Sequence, residues 1–330
     1  MKKTLILFTL FLSVFLIGCG KKNKDVVEKL KKNIENLAAY NIKGDLEIIN
    51  NEDIYTYKVD SSYKENDLFR VSLKNINNNH TQILLKNNEG VYVITPALNK
   101  SFKFQSDWPY NNSQIYLLQT ILNDILNDND VMVEENNDGF IITSKVNYSN
   151  NDELVKQKVY VDNNSEIKLI EVMDSNNNVL MRMKITNFND KPNFSDDYFD
   201  VNSSLNVSIS DEPITVSKLT SVIYPMYVPS KTYLSSQDKV TTDQGERIIL
   251  TFEGDNPFML VQETSSIEKE MITIPVYGKP EIVGDTIGTV SENSVSWSSN
   301  GIDYYVTSKN LSEKEMLTVA NSINVLPVGK

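Results

Sequence analysis

The chain has 330 residues, of which 40% are apolar and 23% charged, so it can bury a sizeable core in one or two domains. Its 32 basic and 44 acidic residues give a net charge of −12, which disfavours nucleic acid as a partner. It has one histidine and one cysteine, which excludes disulfide frameworks and metal sites built from several His or Cys side chains. We therefore expect neither a cofactor nor a metal.

The N-terminus carries the most specific motif of the chain. Two lysines precede the apolar stretch Thr4–Ile17, which is too short to span a bilayer comfortably and is typical of a secretory signal. The stretch ends in Leu16-Ile17-Gly18-Cys19, which matches a bacterial lipobox. We expect cleavage after Gly18 and acylation of Cys19 with fatty acids such as palmitate, so that the mature chain is attached to the extracytoplasmic face of the cell membrane. An uncleaved anchor helix is the alternative.

Periodicity predicts the first half of the chain as a meander of strands with two helices. Apolar residues at helical spacing predict helices over 25–40 and 113–126, the second with Ser113 as its N-cap. Clusters rich in Asn and Asp separate the strands and can supply turns in place of glycine. The strands are predicted over 46–50, 54–59, 69–73, 83–85, 91–94, 140–146, 156–161, 167–172 and 179–185.

The polar segment 187–211 is a candidate linker to a second part of the chain. A last helix is predicted to begin at Ser312, where Ser-Glu-Lys-Glu forms a capping box. The strands of this part are predicted over 247–252, 258–261, 273–276, 287–290, 294–297 and 303–307.

These patterns predict an α+β protein with two folded parts. We expect a signal peptide over 1–18, a lipidated tether over 19–24, a large antiparallel domain over 25–205 and a smaller α+β domain over 212–330. The alternative is that the first strands of the second part extend the large sheet, which would join both parts into one unit.

A resemblance to a known family rests on four features: the lipobox, the first helix, the meander of strands, and the segment Trp108-Pro109-Tyr110-Asn111-Asn112-Ser113-Gln114. Together they resemble Gram-positive sporulation lipoproteins of the YdcC and GerS type, which are similar to the LolA/LolB superfamily of outer membrane lipoprotein-sorting proteins. The resemblance implies an open antiparallel half-barrel packed with helices over 25–205. It also implies a role in sporulation or germination, with a cell-wall amidase or another envelope protein as partner.

The residues that could carry catalysis are few. His80 lies in an Asn-rich polar turn, where a solvated side chain is expected. Adjacent carboxylates such as Asp196-Asp197 are expected by chance in an acidic chain, and Asp124, Asp128 and Asp130 lack the glycine and glutamate spacing of a calcium loop. No catalytic motif is present in the sequence, and we expect a protein that is not an enzyme.

Four residues are candidates for contact with a ligand or partner. Met181 and Met183 share one face of a strand and could line an adaptable pocket for an acyl chain or belong to an ordinary core. Trp108 and Tyr110 could mark a contact surface at the rim of the half-barrel, or Trp108 could anchor the start of the second helix. We expect a membrane-anchored accessory protein that acts through a protein partner. The alternative is a carrier or chaperone that binds a lipid or lipoprotein in the half-barrel cavity.

Overall fold

The computed structural model describes residues 19–50, 53–206, 219–242 and 245–323. About half of these residues lie in strands and far fewer in helices, so the protein is more β-rich than the α+β prediction implied. The described helices are α1 Cys19–Glu35, α2 Leu118–Asn127, α3 Val201–Asn206 and α4 Glu313–Asn321.

The strands form two open sheets. Their bounds in chain order are β1 Ala39–Asn50, β2 Asp53–Lys64, β3 Leu68–Asn75, β4 Thr81–Asn87, β5 Gly90–Thr95, β6 Lys100–Phe104, β7 Met132–Asn136, β8 Gly139–Lys145, β9 Lys156–Asp162, β10 Ile167–Met173, β11 Val179–Asn189, β12 Thr232–Thr242, β13 Gly245–Gly254, β14 Phe258–Thr264, β15 Ile272–Val276, β16 Lys279–Val283, β17 Thr286–Ser291, β18 Ser294–Ser299 and β19 Ile302–Thr307. The first sheet has 12 strands in the order β15-β6-β5-β4-β3-β2-β1-β11-β10-β9-β8-β7, and the second has 7 in the order β12-β13-β14-β19-β18-β17-β16. All neighbours are antiparallel except β15 and β6, which are parallel.

Asparagine supplies the left-handed backbone that many of the turns require. Left-handed φ angles are unfavourable for most residues but accessible to Asn, whose short side chain can bond to the local backbone. This confirms the interpretation of the Asn clusters as turns. The asparagines with positive φ are Asn66, Asn79, Asn99, Asn177 and Asn300.

The main core lies on one face of the first sheet. Helix α1 contributes Val26, Leu30 and Ile34, and the segment that leads into α2 contributes Trp108 and the apolar run at 115–118. The opposite face of β4 and β5 is covered by aromatic residues at 194–199 and by α3. The predicted linker over 187–211 is therefore packed against the first sheet in its described part.

The second sheet has a core of its own on one face. Helix α4 covers this face with Met316 and Val319, which pack with the central strands. The Ser312 capping box is confirmed, because the Ser312 side chain accepts from the Glu315 amide and the Glu315 side chain accepts from the Ser312 amide. The other face of the second sheet is directed toward the first sheet.

The structure corrects several predicted boundaries. The first helix ends at Glu35, and Tyr40 already lies in β1. The second helix begins at Leu118 without a side-chain cap, since the Ser113 hydroxyl donates to Asp124 instead. Strands β6, β7, β12 and β16 were not predicted. The predicted strand over 273–276 forms β15, which extends the first sheet by pairing with β6. That 25–205 and 212–330 fold independently stays a prediction.

Candidate functional site

A cavity of about 460 Å³ lies between the two sheets. Its wall on the first sheet comes from β5, β6 and β15, where Val93, Phe102 and Ile274 stand side by side in paired strands. Its wall on the second sheet includes Val261 of β14 and Tyr305 of β19. The cavity is therefore a largely apolar space bordered by the two sheets and partly open to solvent.

Two ion pairs border this cavity. The Lys100 ammonium is buried and lies 3.6 Å from the Asp303 carboxylate on the opposite sheet. The other Asp303 oxygen accepts from the hydroxyls of Ser265 at 2.5 Å and Ser298 at 2.6 Å. Arg247 pairs with Glu263 at 2.6 Å. Each cation thus faces an anion, and the border carries no net charge.

At the wall of the cavity a buried glutamine joins the two sheets. The Gln82 side chain of β4 donates to the Ile287 carbonyl and accepts from the Ile287 amide and the Thr286 hydroxyl. Ile287 also belongs to the core of the first sheet. This contact satisfies every polar atom of a buried amide, which makes it a specific junction between the two parts.

His80 lies beside this junction and is not the solvated turn residue that the sequence suggested. Its Nε2 atom is buried without a hydrogen-bond partner in the described part of the chain, near Ile282 and Asp285. Burial lowers the pKa of the imidazole, and the nearby Asp285 carboxylate opposes that shift only partly. The sequence prediction failed because the residues that cover His80 come from about 200 positions later in the chain.

A second junction between the two parts of the chain involves the polar residues that follow Trp-Pro in the sequence. Glu281 of β16 accepts hydrogen bonds from the amides of Asn112, at 3.1 and 3.2 Å, and Asn150, at 3.2 Å. Burial raises the pKa of Glu281 to about 7, although Lys279 nearby opposes the shift. The Ser113 hydroxyl donates to Asp124 at 2.7 Å, and burial raises the pKa of that carboxyl to about 7 as well.

Trp108 and Tyr110 lie in different environments. The side chain of Trp108 is 1% exposed and packs edge-on against Phe69 in the main core, which favours the anchoring alternative. Tyr110 is 43% exposed, its hydroxyl donates to Asp67 at 2.8 Å, and the Lys86 ammonium lies 5.2 Å from its ring centre. Of the two aromatic residues, Tyr110 is the one that a partner could reach.

Met181 and Met183 are buried in the main core. Met183 is paired across the sheet with Leu46 and Ile170, and its terminal methyl group lies close to Gly44. They therefore pack with neighbouring side chains and do not line the cavity between the sheets.

The lipidation site lies at the boundary of the described structure. Cys19 begins α1, its side chain is outside the described residues, and so is the predicted signal peptide over 1–18. Within residues 19–50, 53–206, 219–242 and 245–323, no helix is long and apolar enough to cross a membrane. The same residues contain no group of three or more His, Cys, Asp or Glu side chains that could hold a metal.

The cavity was not predicted from the sequence. Only some of the residues that line it could be assigned to one face of a strand. Alternation in β5 and β14 indicated which side chains share a face, but no local pattern shows that Val93 and Val261 face each other across two sheets. Nothing in the sequence indicated that Lys100 is buried, because lysine side chains usually lie at the surface.

Comparison with known proteins gives the family. A family model described as "Sporulation protein YdcC-like" matches residues 1–199. The sporulation protein YdcC of Bacillus subtilis (strain 168) is 33% identical over 327 residues, which cover 98% of this chain and 97% of that protein. The chain belongs to the YdcC-like sporulation protein family. The similarity to the Bacillus YdcC protein includes both sheets.

This YdcC-like protein is also similar to solved structures at low identity. The Pseudomonas aeruginosa MucA/MucB complex contains a chain that is 13% identical, with 91% of this chain and 98% of that chain covered and a TM-score of 0.35. The LolA superfamily protein NE2245 from Nitrosomonas europaea is 10% identical, with 55% and 98% covered and a TM-score of 0.31. A chain in the complex of the CwlD amidase from Clostridioides difficile with the GerS lipoprotein is 16% identical, with 50% and 94% covered and a TM-score of 0.24.

Proposed function

We propose that this YdcC-like protein is a membrane-anchored, non-catalytic accessory factor in sporulation or germination, and that it acts by binding another protein of the envelope. The observation that carries the sporulation role is the match to the Bacillus sporulation protein over 98% of this chain. The lipobox supports anchoring through an acylated Cys19 at the extracytoplasmic face of the membrane.

The first sheet supports binding to a protein rather than carrying a lipid. We propose that this open 12-stranded sheet curves into a half-barrel around α1 and α2. Much of its inner face is then occupied by the chain's own side chains, including Trp108, Met181 and Met183. A carrier of acyl chains would need that space, and the only room that the described residues leave on this face is the cavity beside the second sheet.

The second sheet offers a surface on which a partner could bind. Strand β12 is the edge of this sheet, pairs only with β13, and is exposed along almost its whole length. Tyr233 is 59% exposed, and Met226 in the preceding segment is 79% exposed. Exposed edge strands accept an added strand from a partner, and exposed tyrosine and methionine side chains are enriched at protein interfaces.

The proposal therefore assigns the contact to an extended segment of an envelope protein that pairs with β12. A cell-wall amidase is the first candidate to test, because the resemblance to GerS-type lipoproteins implies it. Acyl-chain binding remains the second candidate function, and the apolar cavity between the sheets is the observation that favours it.

The test is crosslinking and affinity purification of the tagged chain from sporulating cells. We expect one envelope protein to be recovered with the wild-type chain and to be lost with Thr241→Pro, because the register with β13 directs the Thr241 N–H to the free edge, where an added strand would need it. Glu292→Gln, at an exposed position between β17 and β18, serves as the control. Recovery of the same protein with Thr241→Pro would overturn the assignment to β12, and recovery of no envelope protein would overturn the accessory role.

A further inference from the structure

The cavity beside the second sheet has two walls of opposite character. Its wall on the first sheet continues the main core, since Val93 and Phe104 belong to that core and Phe102 packs against it. Its wall on the second sheet is rich in polar side chains, among them Arg247, Glu263, Thr289, Ser296 and Asp303. An alkyl chain in this space would displace water from those groups without offering hydrogen bonds in return, which is unfavourable. The lining therefore favours a ligand with one apolar and one polar side.

Lys100 is the group in this lining that lacks a hydrogen-bond acceptor. Its side chain is 9% exposed, and its ammonium lies 3.6 Å from the Asp303 carboxylate, which is beyond hydrogen-bond distance. That carboxylate already accepts from the hydroxyls of Ser265 and Ser298. No residue in the described part of the chain accepts a hydrogen bond from the Lys100 ammonium, which has three N–H donors. A ligand that enters the cavity can supply the missing acceptor.

The charges around Lys100 select an acceptor without a net charge. Glu263 and Asp303 stand directly opposite each other in β14 and β19, and each has a cation beside it. A carboxylate brought to Lys100 would meet these two anions, and an ammonium brought to the anions would meet Lys100 and Arg247. A peptide group is uncharged and has both a carbonyl acceptor and an N–H donor. The polar wall therefore matches a peptide backbone.

The cavity opens along an uncovered face of the second sheet. Tyr305 is paired with Val261, which lines the cavity, and Met259 stands two residues from Val261 on the same face. Tyr305 is 42% exposed and Met259 is 40% exposed. Contiguous apolar side chains at a surface mark interaction sites. This face thus gives a polypeptide a way from the surface into the cavity.

We propose that the cavity takes up a short extended segment of the protein partner, uncharged and alternating between apolar and hydroxyl- or amide-bearing side chains. The apolar side chains pack against Phe102, the polar ones face the second sheet, and a backbone carbonyl accepts from Lys100. Alternation follows from the two walls, because successive side chains of an extended chain point to opposite sides. The inference rests on the proposed function, since it assigns the same partner a second contact besides β12.

The probe is an acetylated and amidated peptide, Thr-Val-Thr-Phe-Thr-Val, in which a photoreactive benzoylphenylalanine replaces the phenylalanine. It is added to residues 19–330 with Cys19→Ser. We expect saturable binding, and crosslinks that mass spectrometry maps to β6 and β14. The control peptide has the same composition in the order Thr-Thr-Thr-Val-Val-Phe, which lacks alternation, and is expected to bind about tenfold more weakly or less.

Two pairs of variants locate the contact. Lys100→Met removes the donor and is expected to weaken peptide binding by about tenfold, whereas Lys86→Met removes the cation of an ion pair outside the cavity and should leave binding unchanged. Val261→Phe narrows the cavity and should weaken binding to a similar extent, with Glu292→Gln as its control. If Val261→Phe does not fold, Thr289→Leu replaces it.

Three outcomes of the peptide experiment would overturn the proposal. They are binding that does not saturate, equal affinity of the folded Lys100→Met and wild-type chains, and displacement of the peptide by an equimolar amount of oleate, which would show a lipid site. Failure of this inference and failure of the proposed function are distinguishable. Equal recovery of the envelope protein from cells with Val261→Phe and wild-type chains would overturn this inference alone, whereas recovery of no envelope protein would overturn the proposed function.

Discussion

Trp108 and Tyr110 are two positions apart and differ completely in exposure. We expect Trp108→Ala to lower the free energy of unfolding by about 3–5 kcal/mol, because it removes a large side chain from a packed core. Tyr110→Ala is expected to cost about 1 kcal/mol, since it removes a partly exposed hydrogen bond to Asp67. Urea unfolding of the two variants measures both values. Equal costs would contradict the placement of Trp108 as the anchor of this segment.

Glu281 makes stability depend on pH. Its pKa is raised from 4.5 to about 7 in the folded chain, so the folded state favours the protonated carboxyl. The corresponding stabilisation is fully present below pH 4.5 and is lost as the pH rises through 7. We expect Glu281 to lower the melting temperature of the wild-type chain by a few degrees over this range, since about 1 kcal/mol corresponds to roughly 2–4 °C. His80 offsets part of this fall, because its lowered pKa adds stability as the pH rises through 6.5.

The substitution Glu281→Gln should reduce that fall, because the amide does not ionise. Part of the fall should remain, since Asp124 is shifted in the same direction, from 3.8 to about 7. The control is Glu292→Gln at an exposed position, which should behave like the wild-type chain. Melting curves between pH 4.5 and 8 measure this, and an identical slope in Glu281→Gln and wild type would contradict the assignment.

Residue environments were the least predictable feature of the sequence. The Asn-rich turn around His80 indicates solvent, yet residues of the second part cover the imidazole. Lys100 is buried because Asp303, far along the chain, lies opposite it. In both cases the environment depends on contacts between distant segments, which composition and periodicity do not contain.

At the scale of elements, the cap of α4 was both predicted and found. We expect Ser312→Ala to destabilise the second core by about 1 kcal/mol, because the Glu315 amide loses its acceptor. Thr318→Ala, on the exposed side of the same helix, controls for the loss of a hydroxyl. Thermal unfolding of both variants checks the value, and an unchanged melting temperature in Ser312→Ala would contradict a role of the capping box in stability.

Strands whose residues alternate between a buried and an exposed face were predicted, whereas the exposed β12 and the short, largely buried β6 were missed. Strands such as β9 alternate because one face packs on the core, and their period of two is visible in the sequence. Strand β12 is exposed on both faces, so its sequence shows no alternation. The second helix begins later than predicted because Ser113 bonds to Asp124 and to the Asn147 amide, which holds the preceding segment outside the helix.

At the scale of the whole molecule, contacts between the two parts decide whether they separate. Strand β15 extends the first sheet, and Gln82 and Glu281 form two further junctions. We therefore expect residues 19–206 and 219–330, produced as separate fragments in one cell, to co-elute in size-exclusion chromatography. Fragments that elute separately, each with native-like circular dichroism, would instead support the two independent domains that the sequence predicted.

The central claim is that this chain works at the membrane in sporulation. The most direct measurement is the yield of heat-resistant spores from a deletion strain that carries either the wild-type chain or Cys19→Ala. We expect the wild-type chain to restore the yield and Cys19→Ala to leave it near the level of the deletion, because an unacylated chain is not retained at the membrane. A full yield with Cys19→Ala at equal protein levels, or no defect in the deletion strain, would contradict the account.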